Sequence, residues 1–590
     1  MPTNRLDQGV FTQPDNPTDG QRNEMARIAL AQKGRLDDFE YIKSLTSPAA
    51  DITNIAGPGE LKGLKAGIIG GGLAGLAAAF ELRKLGLDIT VFDALEDRIG
   101  GRVYTHYFDL DKRYYGELGP MRIPVTHETS WHYINLFKLD TSPFIQVNEN
   151  AFIFLRDVRV RNDPYGLNVQ KYIYPKYDLT PSERATSWQQ LAFYGFEGPL
   201  LASVPEVRSE ILMVLQRYFP QILFWDRTSI RKMLEGQRLS QDAISLLSNF
   251  LPLAGQNLYN GYIDYIQELY TADLSFLYRI GGGFANLPLA FYKAILDRSP
   301  ERGYEGIPDN CLGTVEWRGA HWVTGIYLDG TDMRPVLSFK SINSDKPSYE
   351  KFDYVICTIP FSTLRTVDIQ PLFSNAKMQA IREVNYIPAQ KTALFCKKRF
   401  WEEGGPKEQI IGGASYTDLP ISQIWYPSDH VARSNNQMHL IKNCHPSNSL
   451  FFKDASSKLQ AEEPGVLLVY NFNLDTTRLA NMEEKERIQE IKSEIEMVHG
   501  LPQGYMDEIV LDYKVMNWNT DPWFRGALCM YSPEQKKLFS YASAYPEYNS
   551  RVFFAGEHIS AKHRWIQGAL RSGMEAANQL AAVCVRRRKN

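Results

Sequence analysis

The chain of 590 residues is poor in cysteine, and its six cysteines, Cys311, Cys357, Cys396, Cys444, Cys529 and Cys584, show no close pairing. That spacing excludes a zinc site and a disulfide framework and predicts no bound metal. It also predicts a reducing, cytoplasmic setting. No run of about 18 apolar residues occurs, so no membrane span is predicted. The opening MPTNRLDQGVFTQPDNPTDG lacks the apolar core of a secretory leader. Charge of one sign is missing too. With 65 basic and 68 acidic residues the net charge is -3, which excludes the dense basic surface that nucleic-acid binding needs. The run Arg586, Arg587, Arg588, Lys589 is short and terminal, and reads as a solvated tail. There is no internal repeat.

What is present is ordinary globular composition, 44% hydrophobic and 23% charged, over a length that allows two or three domains. Residues 1 to about 22 are polar and read as an arm. Ala66 to Ile69 reads as a buried strand, Leu73 to Leu85 as an Ala/Leu helix, and Ile89 to Phe92 as the next strand. Strand, glycine turn, helix and strand open a parallel α/β sheet. From about 180 to 295 helical periodicity dominates, as in Glu206 to Tyr218 and Ser240 to Leu251. Strand patterns return at Trp322 to Leu328, Tyr354 to Thr358, Val466 to Tyr470, Ile509 to Val515 and Arg551 to Phe554, and a helix is predicted from about Trp565.

The sharpest signal is GIIGGGLAGLAAAFELRKLGLDITVFDALEDRIGGRV. Gly70, Gly72 and Gly75 fit G-x-G-x-x-G at the strand-to-helix turn. They allow in order a tight turn, backbone approach to a pyrophosphate, and close helix packing. Asp93 ends the second strand, 23 positions after Gly70, where a carboxylate accepts the hydroxyls of an adenosine ribose. A bare α/β turn would not require Asp93. A second glycine pair follows in Arg98, Gly100, Gly101 and Arg102, placed to wrap and neutralise the pyrophosphate.

These residues resemble the flavin amine oxidase superfamily, which carries R-x-G-G-R just after the ribose acid. The C-terminal FFAGEHIS and HRWIQGALRSGMEAA resemble its other end. The resemblance implies FAD as cofactor. Glu557 would lie near the ribityl-pyrophosphate, and the backbone of Trp565, Ile566, Gln567, Gly568 and Ala569 under the flavin, with Val315 holding adenine. No cysteine lies between Phe553 and Cys584, so noncovalent FAD is expected.

Within the superfamily, GELGPMRIP resembles the G-P-M-R-x-P motif of L-amino acid oxidases. Gly119, Pro120 and Met121 would then line the flavin. Arg122 would grip a substrate carboxylate through two parallel charge-assisted hydrogen bonds; its plain alternative is a structural ion pair. GVLLVYNF places Tyr470 as a second carboxylate ligand and Phe472 as a pocket wall. In HRWIQ, Trp565 would wall the substrate, and Arg564 stands where the family usually has glycine, a bulky cation expected to reshape the entrance. YIPAQKTALFCKKRFW places Lys391 as the lysine that holds a water near the reacting flavin nitrogen. The family's histidine near the mouth of the helical domain has no counterpart around Thr271.

The expected architecture is α/β, with a discontinuous Rossmann-type FAD-binding domain (62–110, 281–388, 519–590), a mixed-sheet α+β substrate domain (111–175, 389–518), a helical insertion (176–280) and an N-terminal arm and helix (1–61). The expected activity is oxidative deamination of an L-α-amino acid with O2 as acceptor. An amino-acid 2-monooxygenase stays open, a polyamine or monoamine oxidase is disfavoured by Arg122, and a catalytically silent flavoprotein would need none of Arg122, Tyr470 and Lys391. Partners are the small substrate and oxygen, and resembling proteins make a homodimer or higher homo-oligomer the expected assembly.

Overall fold

The strand Lys65–Ile69 lies at the centre of a five-stranded sheet, because four of its five residues are buried and both of its edges are paired. The strand order is Val315–Arg318, Asp88–Phe92, Lys65–Ile69, Tyr354–Cys357, Val552–Phe554, with every pair parallel. The sheet is therefore assembled from three stretches far apart in the chain, in the doubly wound order of a dinucleotide-binding domain. This computed structural model describes residues 13–250, 257–300, 302–430 and 461–589. Cys444, Leu251 and the first 12 positions of the expected arm lie outside them.

The helix Leu73–Lys84 is buried on all sides except at its end. Its small residues explain how: one face covers the sheet, while the other meets the C-terminal helix Ile566–Lys589. A Cβ added to Gly573 would stand 2.4 Å from the Ala74 carbonyl oxygen, so only glycine permits this crossing. The last turn of the C-terminal helix is solvated as read, with Arg586, Arg588 and Lys589 exposed and Arg587 half-buried, though it is helical and tethered. Arg587 donates to the carbonyl of Asn549 at 2.5 Å and Arg588 to that of Glu60, and cations there also suit the helix dipole.

A seven-stranded mixed sheet forms the second layer, in the order Val510–Asn517, Ala389–Cys396, Gly465–Phe472, Gln423–Trp425, Ala414–Thr417, Phe152–Leu155, Val158–Arg161. It is antiparallel apart from the parallel pairing of Tyr416 with Ile153. Between the second-sheet segments the chain runs through short helices from Pro181–Arg184 to Tyr262–Tyr270. Thr180, Ser187, Ser229 and Ser240 cap four of them.

Two predicted helices are shorter than their apolar patterns. Glu206 to Tyr218 resolves into Pro205–Ser209 and a 3-10 turn, Glu210–Leu212. Ser240 to Leu251 yields Gln241–Ser248. The first helix, in contrast, starts earlier than expected, at Asp19, because Thr18 and Gln21 close a capping box. Among the described residues no helix is long and apolar enough to cross a membrane.

Candidate functional site

The glycine turn sits at the carboxyl end of the parallel sheet, where doubly wound folds bind their ligands. Gly70 has φ +103°, a conformation that favours glycine, and a Cβ on Gly75 would stand 2.0 Å from the Gly70 carbonyl oxygen. A Cβ on Gly72 would meet nothing closer than 3.9 Å, so its backbone faces open space. Asp93 accepts from the backbone N–H of Gly71 at 2.7 Å and of Leu95 at 2.8 Å. Burial pushes its carboxyl up to about 6, against those hydrogen bonds and Arg98.

The second glycine pair closes on the first. Gly72 and Gly100 form a parallel bridge, and a Cβ on Gly100 would strike Pro288 at 2.6 Å. Arg102 reaches across to Glu557 at 2.8 Å and to the Ala527 carbonyl at 3.0 Å. Burial would raise the Glu557 carboxyl, but Arg102 and the histidines beside it hold it below its ordinary value. Gly70, Gly72, Asp93, Gly100, Gly101, Arg102, Gly119, Pro120, Glu557, Trp565, Ile566 and Ala569 line one elongated cavity. An open backbone face at a helix start, a buried acid and an arginine along a groove fit the diphosphate and ribose of a dinucleotide. They would hold FAD at those points.

Several residues stand outside this cavity. Arg98 donates to the carbonyl of Gly101 at 2.5 Å and lies over the Tyr104 ring at 4.6 Å, so it stitches the glycine loop from behind. Val315 pairs with Ile89 on the edge strand, and it is Trp317, two residues on, that presses against Gly71. Gln567 faces away, accepting from Ser130 N–H at 3.1 Å and donating to the Thr46 carbonyl at 2.6 Å. Gly568 lines a separate cavity beside Lys562. Phe472 is buried against Tyr470, with ring centroids 4.3 Å apart.

Antiparallel register brings the substrate-side residues together: Lys391 pairs directly with Tyr470. The Lys391 ammonium stands 4.4 Å from the Tyr470 ring and donates to the carbonyls of Gly119 at 2.6 Å and Glu117 at 3.2 Å. Burial lowers it to about 7; the Glu117 carboxylate opposes that and Arg122 adds to it. Glu117, half-buried, is itself pushed up to about 7 by desolvation. Tyr470 also lines the elongated cavity.

Arg122 lies over Trp425 at 5.1 Å and Trp565 at 5.9 Å, and its side-chain hydrogen bond goes to Gln146 at 2.8 Å. Among the described residues no carboxylate lies within ion-pairing distance of it. The structural ion pair weighed above is therefore not formed.

The sequence reading left the helical insertion empty, yet it supplies much of the site's charge. The helix Tyr262–Tyr270 carries Asp264 and Glu268 one turn apart, both buried. Arg564 is turned into them, at 2.6 Å from Asp264 and 3.2 Å from Glu268. Its guanidinium faces the insertion while the residue also lines the elongated cavity, and its backbone, at φ +71°, keeps the conformation that glycine prefers. His563 bonds Asp264 at 2.6 Å, Lys562 bonds Asp273 at 2.6 Å, and Asp273 also meets His127 at 3.1 Å. His127 packs edge-on to Trp565 at 4.9 Å. Thr271, where no histidine was found, donates to Asp273 at 2.6 Å.

Comparison with known proteins gives the family of the chain. Two L-amino-acid oxidases are 28% identical to the chain. One, from Vipera ammodytes ammodytes, aligns over 87% of this chain and 92% of its own length; the other, from Sistrurus catenatus edwardsii, over 87% and 86%. A solved putrescine oxidase bound to putrescine superposes with a TM-score of 0.60 at 15% identity, covering 87% of this chain and 98% of its own. Cyclohexylamine oxidase from Brevibacterium oxydans IH-35A gives 0.59 at 14%, covering 88% and 99%; at such identities the likeness is one of fold. The pattern of the flavin containing amine oxidoreductases matches residues 73–581, from the helix after the glycine turn to the C-terminal helix, and the chain belongs to that family.

Proposed function

We propose that the chain binds FAD noncovalently and oxidises L-α-amino acids to 2-oxo acids, releasing ammonia and hydrogen peroxide. Arg122 carries this reading: a guanidinium held between two tryptophans with no carboxylate partner among the described residues. A half-buried, desolvated cation without a counter-ion is costly, and a substrate carboxylate removes that cost. Amines without a carboxylate give it no partner. The L-amino-acid oxidases similar to the chain support the same substrate class.

Bound FAD supplies the two-electron acceptor. Arg122 and Tyr470 fix the substrate carboxylate, and Trp565 walls the space beside it, so positioning provides much of the acceleration. Lys391, with its ammonium lowered to about 7, holds a proton that it can share with a water at the Gly119 backbone. The flavin-loaded protein, mixed without air with a panel of L-amino acids, is expected to lose its yellow colour and regain it on aeration with peroxide release. Failure of every L-amino acid to bleach it would refute the reading, and an amide product in place of the 2-oxo acid would identify a monooxygenase.

A further inference from the structure

Two charges at this site are left without a full partner, and they have opposite sign. Arg122 has no carboxylate within ion-pairing distance among the described residues, only Gln146 at 2.8 Å. Glu268 is 6% exposed, and both hydrogen bonds to it, from Arg564 Nε at 3.2 Å and Trp565 Nε1 at 3.1 Å, end on the same oxygen, Oε1. Its Oε2 has no donor among the described residues. The neighbouring acids are in a different condition: Asp264 is held by Arg564 and His563, and Asp273 by Lys562, His127 and Thr271.

Glu268 lines a second cavity, together with Gln146 and Tyr416 from the Arg122 side and Trp188, Phe196 and Phe250 from the helical insertion. The indole of Trp565, which lines the elongated cavity, bonds Glu268 across the boundary between the two. A carboxylate oxygen at an apolar chamber is unfavourable unless a cation, a donor or water completes it. Arg122 lies over the Trp565 ring at 5.9 Å, and the same indole donates to Glu268 at 3.1 Å, so the two charges meet one side chain. A cation without a carboxylate partner among the described residues and an anion with one oxygen over, both against the same indole, are complementary to a zwitterion.

We infer that Glu268 is the ammonium-binding residue of the site: it receives the α-amino group of an amino acid whose carboxylate lies on Arg122 and whose large apolar side chain enters the aromatic-lined chamber. This rests on the amino-acid reading above. Glu268 thereby turns a carboxylate site into one selective for amino acids, since a carboxylate ligand lacking the amine leaves Oε2 unsatisfied.

The test uses the flavin-loaded enzyme, L-phenylalanine and its amine-free counterpart 3-phenylpropanoate. Glu268→Gln keeps an acceptor for Arg564 and Trp565 and removes only the charge. Half-saturation of anaerobic bleaching by L-phenylalanine is expected to move up about 10- to 150-fold in Glu268→Gln, the span of a hydrogen bond to a charged group. The calorimetric Kd of 3-phenylpropanoate should stay the same or fall, because a nearby negative charge is removed, and its retained binding also reports that the site is folded. Equal losses for both ligands would overturn the inference and leave Glu268 a purely structural anchor. Bleaching by other L-amino acids but not by L-phenylalanine would overturn it while the amino-acid reading stands. No bleaching of the wild type by any L-amino acid would remove both.

Discussion

Lys391→Met isolates the most perturbed functional cation. Lys391 is 2% exposed and its ammonium is lowered from 10.5 to about 7, chiefly by burial. That interval is worth about 5 kcal/mol at about 1.4 kcal/mol per pH unit. The sign follows from proton linkage. Between the folded value near 7 and the unfolded value of 10.5, the unfolded chain holds a proton that the folded chain has released. Raising the pH therefore stabilises the wild type through this window. Below it the full penalty of a buried charge is present, and above it none remains. Methionine carries no charge, so its advantage over lysine is largest at low pH and shrinks as the pH rises.

The absolute difference between the two proteins mixes this with lost hydrogen bonds to Gly119 and Glu117 and with altered packing. Those contributions do not depend on pH, so the change with pH is the clean quantity. Glu117, pushed up to about 7 beside it, would blur the lower end, so the comparison belongs between pH 8 and 10. Urea midpoints of the flavin-loaded proteins, converted to free energies, should show the wild type gaining about 3 kcal/mol on the variant across those two pH units. A flat difference would mean that Lys391 stays charged to its ordinary value. The description of the ammonium as poised near neutrality, and its role in sharing a proton with water, would then fail.

Arg122→Ala should abolish bleaching by L-amino acids while flavin absorbance after gel filtration stays at the wild-type ratio; loss of the flavin instead would place Arg122 in cofactor binding. Gly75→Ala puts a methyl 2.0 Å from the Gly70 carbonyl, so the protein should purify colourless or fail to fold, and a normal yellow protein would refute the close turn. Arg564→Gly relieves a left-handed backbone, worth about 1 kcal/mol, but strips Asp264 and Glu268 of their shared cation, a loss of about 3–5 kcal/mol. Its Tm should therefore fall, and a rise would show that the buried network contributes less than the strain.

How much of this site was legible in the sequence depended on whether the signal was local. The glycine turn and Asp93 lie within one strand–helix–strand unit, where spacing alone dictates geometry, and the structure brings Gly70, Gly72 and Asp93 onto one cavity. The pairing of Lys391 with Tyr470 crosses between distant strands, so its residues carried the motif while their adjacency came only from sheet register. Arg564 shows where local reading stops. As a residue type it read as a bulky cation at an entrance, because nothing near it in sequence is acidic enough to hold it. Its partners, Asp264 and Glu268, sit about 300 positions earlier on a helix whose apolar residues, Tyr262, Ile263, Tyr265 and Ile266, gave only a generic buried pattern. A helix with two acids one turn apart is ordinarily a solvated face. Here the docking of residues 562–565 against it buries both acids, fully compensates Asp264, and leaves Glu268 with one oxygen over. No local pattern could have revealed that remainder, because it is a difference between the charges of segments that meet only in the folded chain.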